Sequence, residues 1–132
     1  MEYKIKMAFA LIGIGLIFFI NTINAQKIDK TNLFEIWHLN SYKIKSKEYS
    51  PSKKEKNDYI HFKEDGTFVS KSENTIETGT WILNNNGGYI LMIDDNNETI
   101  KAYIVSLSFE NLILRFDVAE IKEVEVVYNS HL

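Results

Sequence analysis

An all-β fold, built as an eight-stranded antiparallel up-and-down barrel, is predicted by three features of this 132-residue chain. Past an N-terminal apolar segment, hydrophobic residues recur in short runs with period two, the signature of half-buried strands. Brief turns rich in Asp, Asn and Gly separate those runs, and connections this short force antiparallel neighbours, because a parallel crossover needs a dozen or more residues. No stretch after residue 25 sustains a 3.6-residue apolar period. Closing such a sheet on itself removes its exposed edges. A two-sheet sandwich is the competing architecture.

The N-terminus reads as a targeting signal. Lys4 and Lys6 precede an unbroken apolar and glycine run, Met7–Ile20, followed by Asn21-Thr22-Ile23-Asn24-Ala25. At 1.5 Å per residue that run spans about 21 Å as a helix, short of the roughly 30 Å hydrocarbon core. Basic, apolar and polar regions in this order describe a secretory signal peptide over residues 1–25, cleaved after Ala25. The alternative is an uncleaved N-terminal anchor. Cleavage leaves one domain, residues 26–132, with no further membrane span, destined for the periplasm or the extracellular space. The chain has no cysteine, so an exported fold of this kind has to stand on its core alone.

The mature chain opens with a short helical turn within Thr31–Trp37, capped by Thr31 or Asn32 with Glu35 in its first turn. Trp37–Ile44 then alternates as a strand, and Lys45–Asn57 forms a long polar loop holding Pro51, the only proline. Tyr59–Phe62 and Thr67–Lys71 make a hairpin around Asp65-Gly66. Ile76–Leu83 and Tyr89–Ile93 flank the Asn84–Gly88 turn, and Asp94–Asn97 leads into Glu98–Leu107. Asn111–Asp117 and Lys122–Tyr128 complete eight strands. In the last, Glu123 and Glu125 face water while Val124, Val126 and Tyr128 face inward. Leu112, Leu114 and Phe116 share one face of the strand before it, although both faces there carry apolar residues.

Three segments resemble the lipocalin-like proteins of the calycin group, in their small secreted bacterial form. They are Leu33-Phe34-Glu35-Ile36-Trp37-His38-Leu39 leading into the first strand, Phe62-Lys63-Glu64-Asp65-Gly66-Thr67-Phe68 as the second hairpin, and Gly79-Thr80-Trp81-Ile82-Leu83. The resemblance spans essentially the whole mature chain. It implies a barrel with an internal cavity and a short helical lid, binding a small apolar molecule. It also implies that the first tryptophan, Trp37, packs across the closed end against an arginine, and Arg115 is the only arginine of the mature chain. One position departs from the family's pattern: Glu35 stands where glycine is usual, two residues before the tryptophan.

Trp37, Phe62, Phe68, Trp81, Leu91, Ile93, Ile104, Leu114 and Val126 are the expected inward positions, and all of these but Ile93 are assigned to a ligand cavity. An eight-stranded barrel either fills with side chains or holds one small ligand, and composition leaves both open. His38, His61 and His131 lack metal-ligand spacing and read as surface residues. Asp94-Asp95-Asn96-Asn97-Glu98 lacks the glycine and terminal glutamate of a calcium loop and reads as a turn. No metal or cofactor is implied.

With 15 basic and 18 acidic residues the chain carries net −3, which argues against a nucleic-acid partner. Charge is unevenly spread: residues 26–56 hold eight lysines against four acids, whereas residues 57–132 hold five basic groups against thirteen acids. The lysines around Lys43–Lys56 are either a solvated loop or a basic rim for an anionic head group. No nucleophile elbow, phosphate loop or histidine–carboxylate spacing points to catalysis, and no catalytic residue is assigned. The resulting expectation is an exported, non-enzymatic protein that binds a small hydrophobic or amphipathic molecule inside its barrel. The alternative is a filled barrel acting as a periplasmic protein-interaction or inhibitor module.

Overall fold

A computed structural model describes residues 27–131. Its strands are β1 (Ile36–Ile44), β2 (Lys47–Tyr49), β3 (Tyr59–Phe62), β4 (Thr67–Ser72), β5 (Thr75–Asn84), β6 (Tyr89–Asp94), β7 (Thr99–Leu107), β8 (Asn111–Phe116) and β9 (Val124–Asn129). Every pairing is antiparallel. From β3 to β9 each strand pairs with the next, and β9 closes on β1 from His38↔Asn129 to Ile44↔Val124. Closure makes an eight-stranded barrel of β1 and β3–β9.

Three local expectations are corrected. The segment read as an irregular polar loop contains β2, folded back on β1, and a 3₁₀ turn at Lys53–Glu55. The β1–β2 turn, Lys45-Ser46, holds both residues at positive φ, as does Glu73-Asn74 between β4 and β5. That is the backbone a two-residue hairpin needs to match strand twist, adopted here without the usual glycine. The N-terminal turn is 3₁₀ over Lys30–Leu33, and its cap is Asp29, whose side chain accepts from Thr31 N–H. The last strand, expected from Lys122, starts instead at Val124 after a 3₁₀ turn at Ala119–Ile121.

Two β-bulges set which side chains enter the barrel. Between Leu39 and Ser41 the register of β1 against β9 shifts, so Trp37 and Leu39 point inward before the bulge and Tyr42 after it. A second shift lies between Ile104 and Ser106 on β7, which brings Leu107 opposite the buried Leu112. On β6 the buried residues are Ile90 and Met92. Leu91 and Ile93 therefore lie on the outer face, opposite Ile82 and Thr80, against the expectation that they point inward.

The core fills one end of the barrel. Leu33, Trp37, Phe62, Ile90, Ala102, Leu112 and Leu114 are fully buried, with Phe68 and Trp81 nearly so. The 3₁₀ turn caps this end: Leu33 plugs it, and its carbonyl accepts from Trp37 Nε1 at 3.1 Å. Trp81 Nε1 donates to the Lys63 carbonyl at 3.0 Å, and its ring meets Phe62 and Phe34 at centroid distances of 5.2 and 6.0 Å. Gly79 lets β5, β6 and Phe68 close together, because a Cβ there would lie 2.0 Å from the Ile93 carbonyl oxygen and 2.8 Å from Phe68 Cε2. Arg115 does not join this floor. Its guanidinium lies 5.3 Å from the ring centroid of Tyr103, its cross-strand partner on the outer face of β7 and β8. The expected Trp37–Arg115 pair is thus replaced by the Trp37–Leu33 hydrogen bond inside and an Arg115–Tyr103 contact outside.

Candidate functional site

The opposite end of the barrel is not filled. Here β1 finishes, β3 starts, β4 finishes and β5 starts, so the inward residues come from strand ends around the rim. The alternation that buries Ile60 and Phe62 carries back to Asp58, which is buried. On β5 the inward series of Trp81 and Gly79 reaches Glu77. Together these strands enclose a cavity of about 340 Å³, walled by Leu39, Ile60, Met92, Ile100, Phe116 and Val126 and by the aromatic residues Tyr42 and Tyr128. A neighbouring cavity of about 280 Å³ shares Ser70, Glu77, Met92 and Ile100 with it, and adds Asp94, Glu98 and Asp117. The first volume falls in the range of small-molecule sites, which are mostly apolar with a few placed polar groups.

The polar groups sit at the mouth. Tyr42 donates its hydroxyl proton to Glu55 Oε2 at 2.5 Å. Glu55 also accepts from the Ser52 backbone N–H at 2.9 Å. Those two bonds, led by the one from Tyr42, hold the Glu55 carboxyl below its usual range. Burial first, then the hydrogen bond to Glu55, pushes the Tyr42 phenol well up, so it stays neutral. Asp58 is 9% exposed, and one of its oxygens accepts from the Glu73 backbone N–H at 2.8 Å. Burial raises its pKa, the hydrogen bond from Glu73 N–H opposes that first, the nearby Glu55 and Glu73 charges add to the rise, and Lys71 opposes it. Tyr128 is 6% exposed, and its phenol is pushed up by burial, with Tyr42 and Asp58 as its charged or polar neighbours.

The sequence-derived cavity residues divide between the two ends. Val126 lines the larger cavity and Phe68 the smaller one. Trp37, Phe62, Trp81 and Leu114 belong to the filled floor, with Ile104 half-buried against it, and Leu91 faces outward. Tyr42, Asp58, Glu55, Glu77 and Tyr128 are not among the site residues the sequence points to. Tyr42 is hidden by the Asn40 bulge, although the apolar pattern itself changes phase there, from Trp37 and Leu39 to Tyr42 and Ile44. Asp58 is legible by extending the Ile60–Phe62 alternation one step back.

The loop lysines take no part in the cavity wall. Lys53 and Lys56 line a separate groove with Leu39, Asn40, Pro51 and Ser52, and the loop residue that reaches the cavity is Glu55. His38 stacks edge-on to Tyr59 at 6.4 Å on the outer face, and burial lowers the pKa of both His38 and His61. In the Asp94 turn, Asp94 Oδ1 accepts from the backbone N–H groups of Asn96 and Glu98, each at 2.9 Å. Among the described residues no three His, Cys, Asp or Glu side chains converge as metal ligands.

The lipocalin-like domain matches residues 33–114, from the plug to β8. This chain belongs to the lipocalin-like domain family. No curated relative and no solved structure matches the chain. The match to the lipocalin-like domain begins at Leu33, the residue that seals the floor, and takes in Trp37, Gly79 and Trp81. No helix of the described residues is long and apolar enough to cross a membrane. The proposed signal peptide, residues 1–25, lies outside the described residues.

Proposed function

We propose that this lipocalin-like domain is an exported, non-enzymatic carrier that holds a small hydrophobic or amphipathic molecule in the hollow half of its barrel. The observation that carries this reading is the division of the interior. A rigid floor of fully buried side chains lies beneath a 340 Å³ space whose walls are mainly apolar. Each methylene transferred from water into such a space contributes about 0.8 kcal/mol. Preformed walls spare the ordering cost that a collapsing site would impose. Export rests on the charged, apolar and small-residue order of residues 1–25.

Native and denaturing mass spectrometry of residues 26–132, purified gently from a bacterial periplasm, tests this reading together with titration of an environment-sensitive apolar dye. Saturable dye binding at one site, abolished by Ile100→Trp, which fills the cavity from β7, is the expected result. A bare protein mass together with no saturable dye binding would overturn the proposal. Intrinsic tryptophan fluorescence is a poor readout here, because Trp37 and Trp81 both sit in the floor.

A further inference from the structure

The cavity is apolar in its walls and acidic at its mouth. Glu55, Asp58 and Glu77 line it, and among the described residues Lys71 is the one cationic side chain of the lining. Where it continues toward β6 and β7 the added charges are again acidic: Asp94, Glu98 and Asp117. These carboxylates come from the β2–β3 connection, β5, the β6–β7 turn region and the end of β8, so they ring the mouth instead of converging on a point. A basic rim for a carboxylate or phosphate head, one of the two sequence expectations for the lysine-rich loop, is the opposite of what the cavity presents.

A second observation is independent of those acids. Tyr128 lines the same cavity and is 6% exposed, yet its hydroxyl has no hydrogen-bond partner among the described residues. A buried hydroxyl left unpaired costs about 1–3 kcal/mol, and the cavity is the space from which a partner can come. Asp58 shows a similar deficit: it is 9% exposed, and among the described residues the hydrogen bond to its carboxylate comes from Glu73 N–H. The Tyr128 phenol oxygen can accept a hydrogen bond and the Asp58 carboxylate keeps free lone pairs; both line this cavity, and a head group with N–H donors and positive charge suits both. The rings of Tyr42, Phe116 and Tyr128 in the same wall supply π-faces, which attract cations as well.

We propose that the cavity selects amphiphiles with a cationic nitrogen head, an amine or ammonium on a short apolar body, with Asp58 and Glu77 as counter-charges and Tyr128 as hydrogen-bond acceptor. This rests on the carrier reading above and names its ligand class. The head sits at the mouth between β3 and β5, and the apolar body lies against Met92, Ile100 and Val126. Lys71 lies on the rim beside Asp58 and leaves the acids in excess.

Three probes of equal chain length separate the possibilities: octylammonium, octanoate and octan-1-ol, titrated into the mature protein at low salt by displacement of the apolar dye. Octylammonium should bind at least tenfold more tightly than the alcohol, and octanoate more weakly than both. In Asp58→Asn/Glu77→Gln the ratio of ammonium to alcohol affinity should fall about tenfold. The amide oxygen introduced by Asp58→Asn can still accept from Glu73 N–H, and near-ultraviolet circular dichroism reads whether the fold is kept. Tyr128→Phe should lower octylammonium affinity alone, which tests the site through a second, uncharged position. Octanoate binding as tightly as octylammonium, or an unchanged ratio in the folded double variant, would overturn the head-group assignment and leave the carrier reading standing. Dye displacement by none of the three would overturn both.

Discussion

Leu114→Ala and Val126→Ala probe the two halves of the barrel with nearly the same chemistry. Both residues lie on the inward face, and they are cross-strand partners on β8 and β9. Leu114 is fully buried in the floor, whereas Val126 is 5% exposed and lines the cavity. Truncating Leu114 removes three carbons, about 2.4 kcal/mol of transfer free energy, and leaves a new void in packed surroundings. The total should reach about 3–4 kcal/mol. Truncating Val126 removes two carbons, about 1.6 kcal/mol, and only enlarges a space that already exists. For a domain of this size, that difference corresponds to a melting temperature lowered by about 15 °C in the first variant and about 7 °C in the second. Urea unfolding followed by tryptophan fluorescence is suited to the comparison, because Trp37 and Trp81 report on the floor. Equal losses per carbon, or a larger loss for Val126→Ala, would show that the upper half is packed as tightly as the lower and would refute the division of the interior.

Gly79→Ala should destabilise by about 3 kcal/mol or more, since the new Cβ would lie 2.0 Å from a backbone oxygen that cannot swing away; a thermal melt within about 2–3 °C of the parent would contradict the close strand crossing. Trp81→Phe keeps most of the ring packing but strips the Lys63 carbonyl of its 3.0 Å donor, and a loss of about 1–2 kcal/mol in urea unfolding is expected. The stability of Asp58→Asn relative to the parent should depend on pH. Burial raises the Asp58 pKa, the hydrogen bond from Glu73 N–H and the Lys71 charge oppose that, and the Glu55 and Glu73 charges reinforce it, with Tyr42 and Tyr128 as the neutral neighbours. Ionising Asp58 therefore costs stability, so parent and variant should match in acid. The variant should gain as pH rises through the raised Asp58 pKa. A stability gap that stays constant across that range would show that the Asp58 charge is not desolvated.

The strands and most turns are legible in the sequence because both are local. Asp65-Gly66, Asn84–Gly88 and Asp94–Asn97 stand where chain reversal is needed, and Gly66 and Gly88 do adopt positive φ. The β1–β2 hairpin escapes a sequence reading because Lys45-Ser46 carries no glycine or asparagine and β2 is exposed along its whole length, with no apolar face to betray it. The facing of β6 is ambiguous because Tyr89-Ile90-Leu91-Met92-Ile93 is apolar on both sides, so alternation gives no phase. Only pairing with β5, which puts Leu91 opposite the exposed Ile82, settles it. The family resemblance implies an arginine at the floor, and Arg115 is the one available. Its parity with Tyr103 across β7 and β8 sends it outward instead.

What the sequence by itself determined is therefore the all-β class, the order of the barrel strands, the plug before Trp37 and the family. Each of these rests on residues near one another in the chain, or on a spacing that survives without knowing the partner strand. Only the tertiary structure decided that the interior is filled at one end and hollow at the other. It also decided that Asp58, Glu77 and Glu55 meet at one mouth, with the lysine-rich loop turning an acid and not its lysines toward it. Those properties depend on strand registers and on the Asn40 bulge, which moves Tyr42 into the barrel. Side chains from β1, β3, β5 and β9 become neighbours only when the sheet closes, and no spacing along the chain encodes that meeting directly.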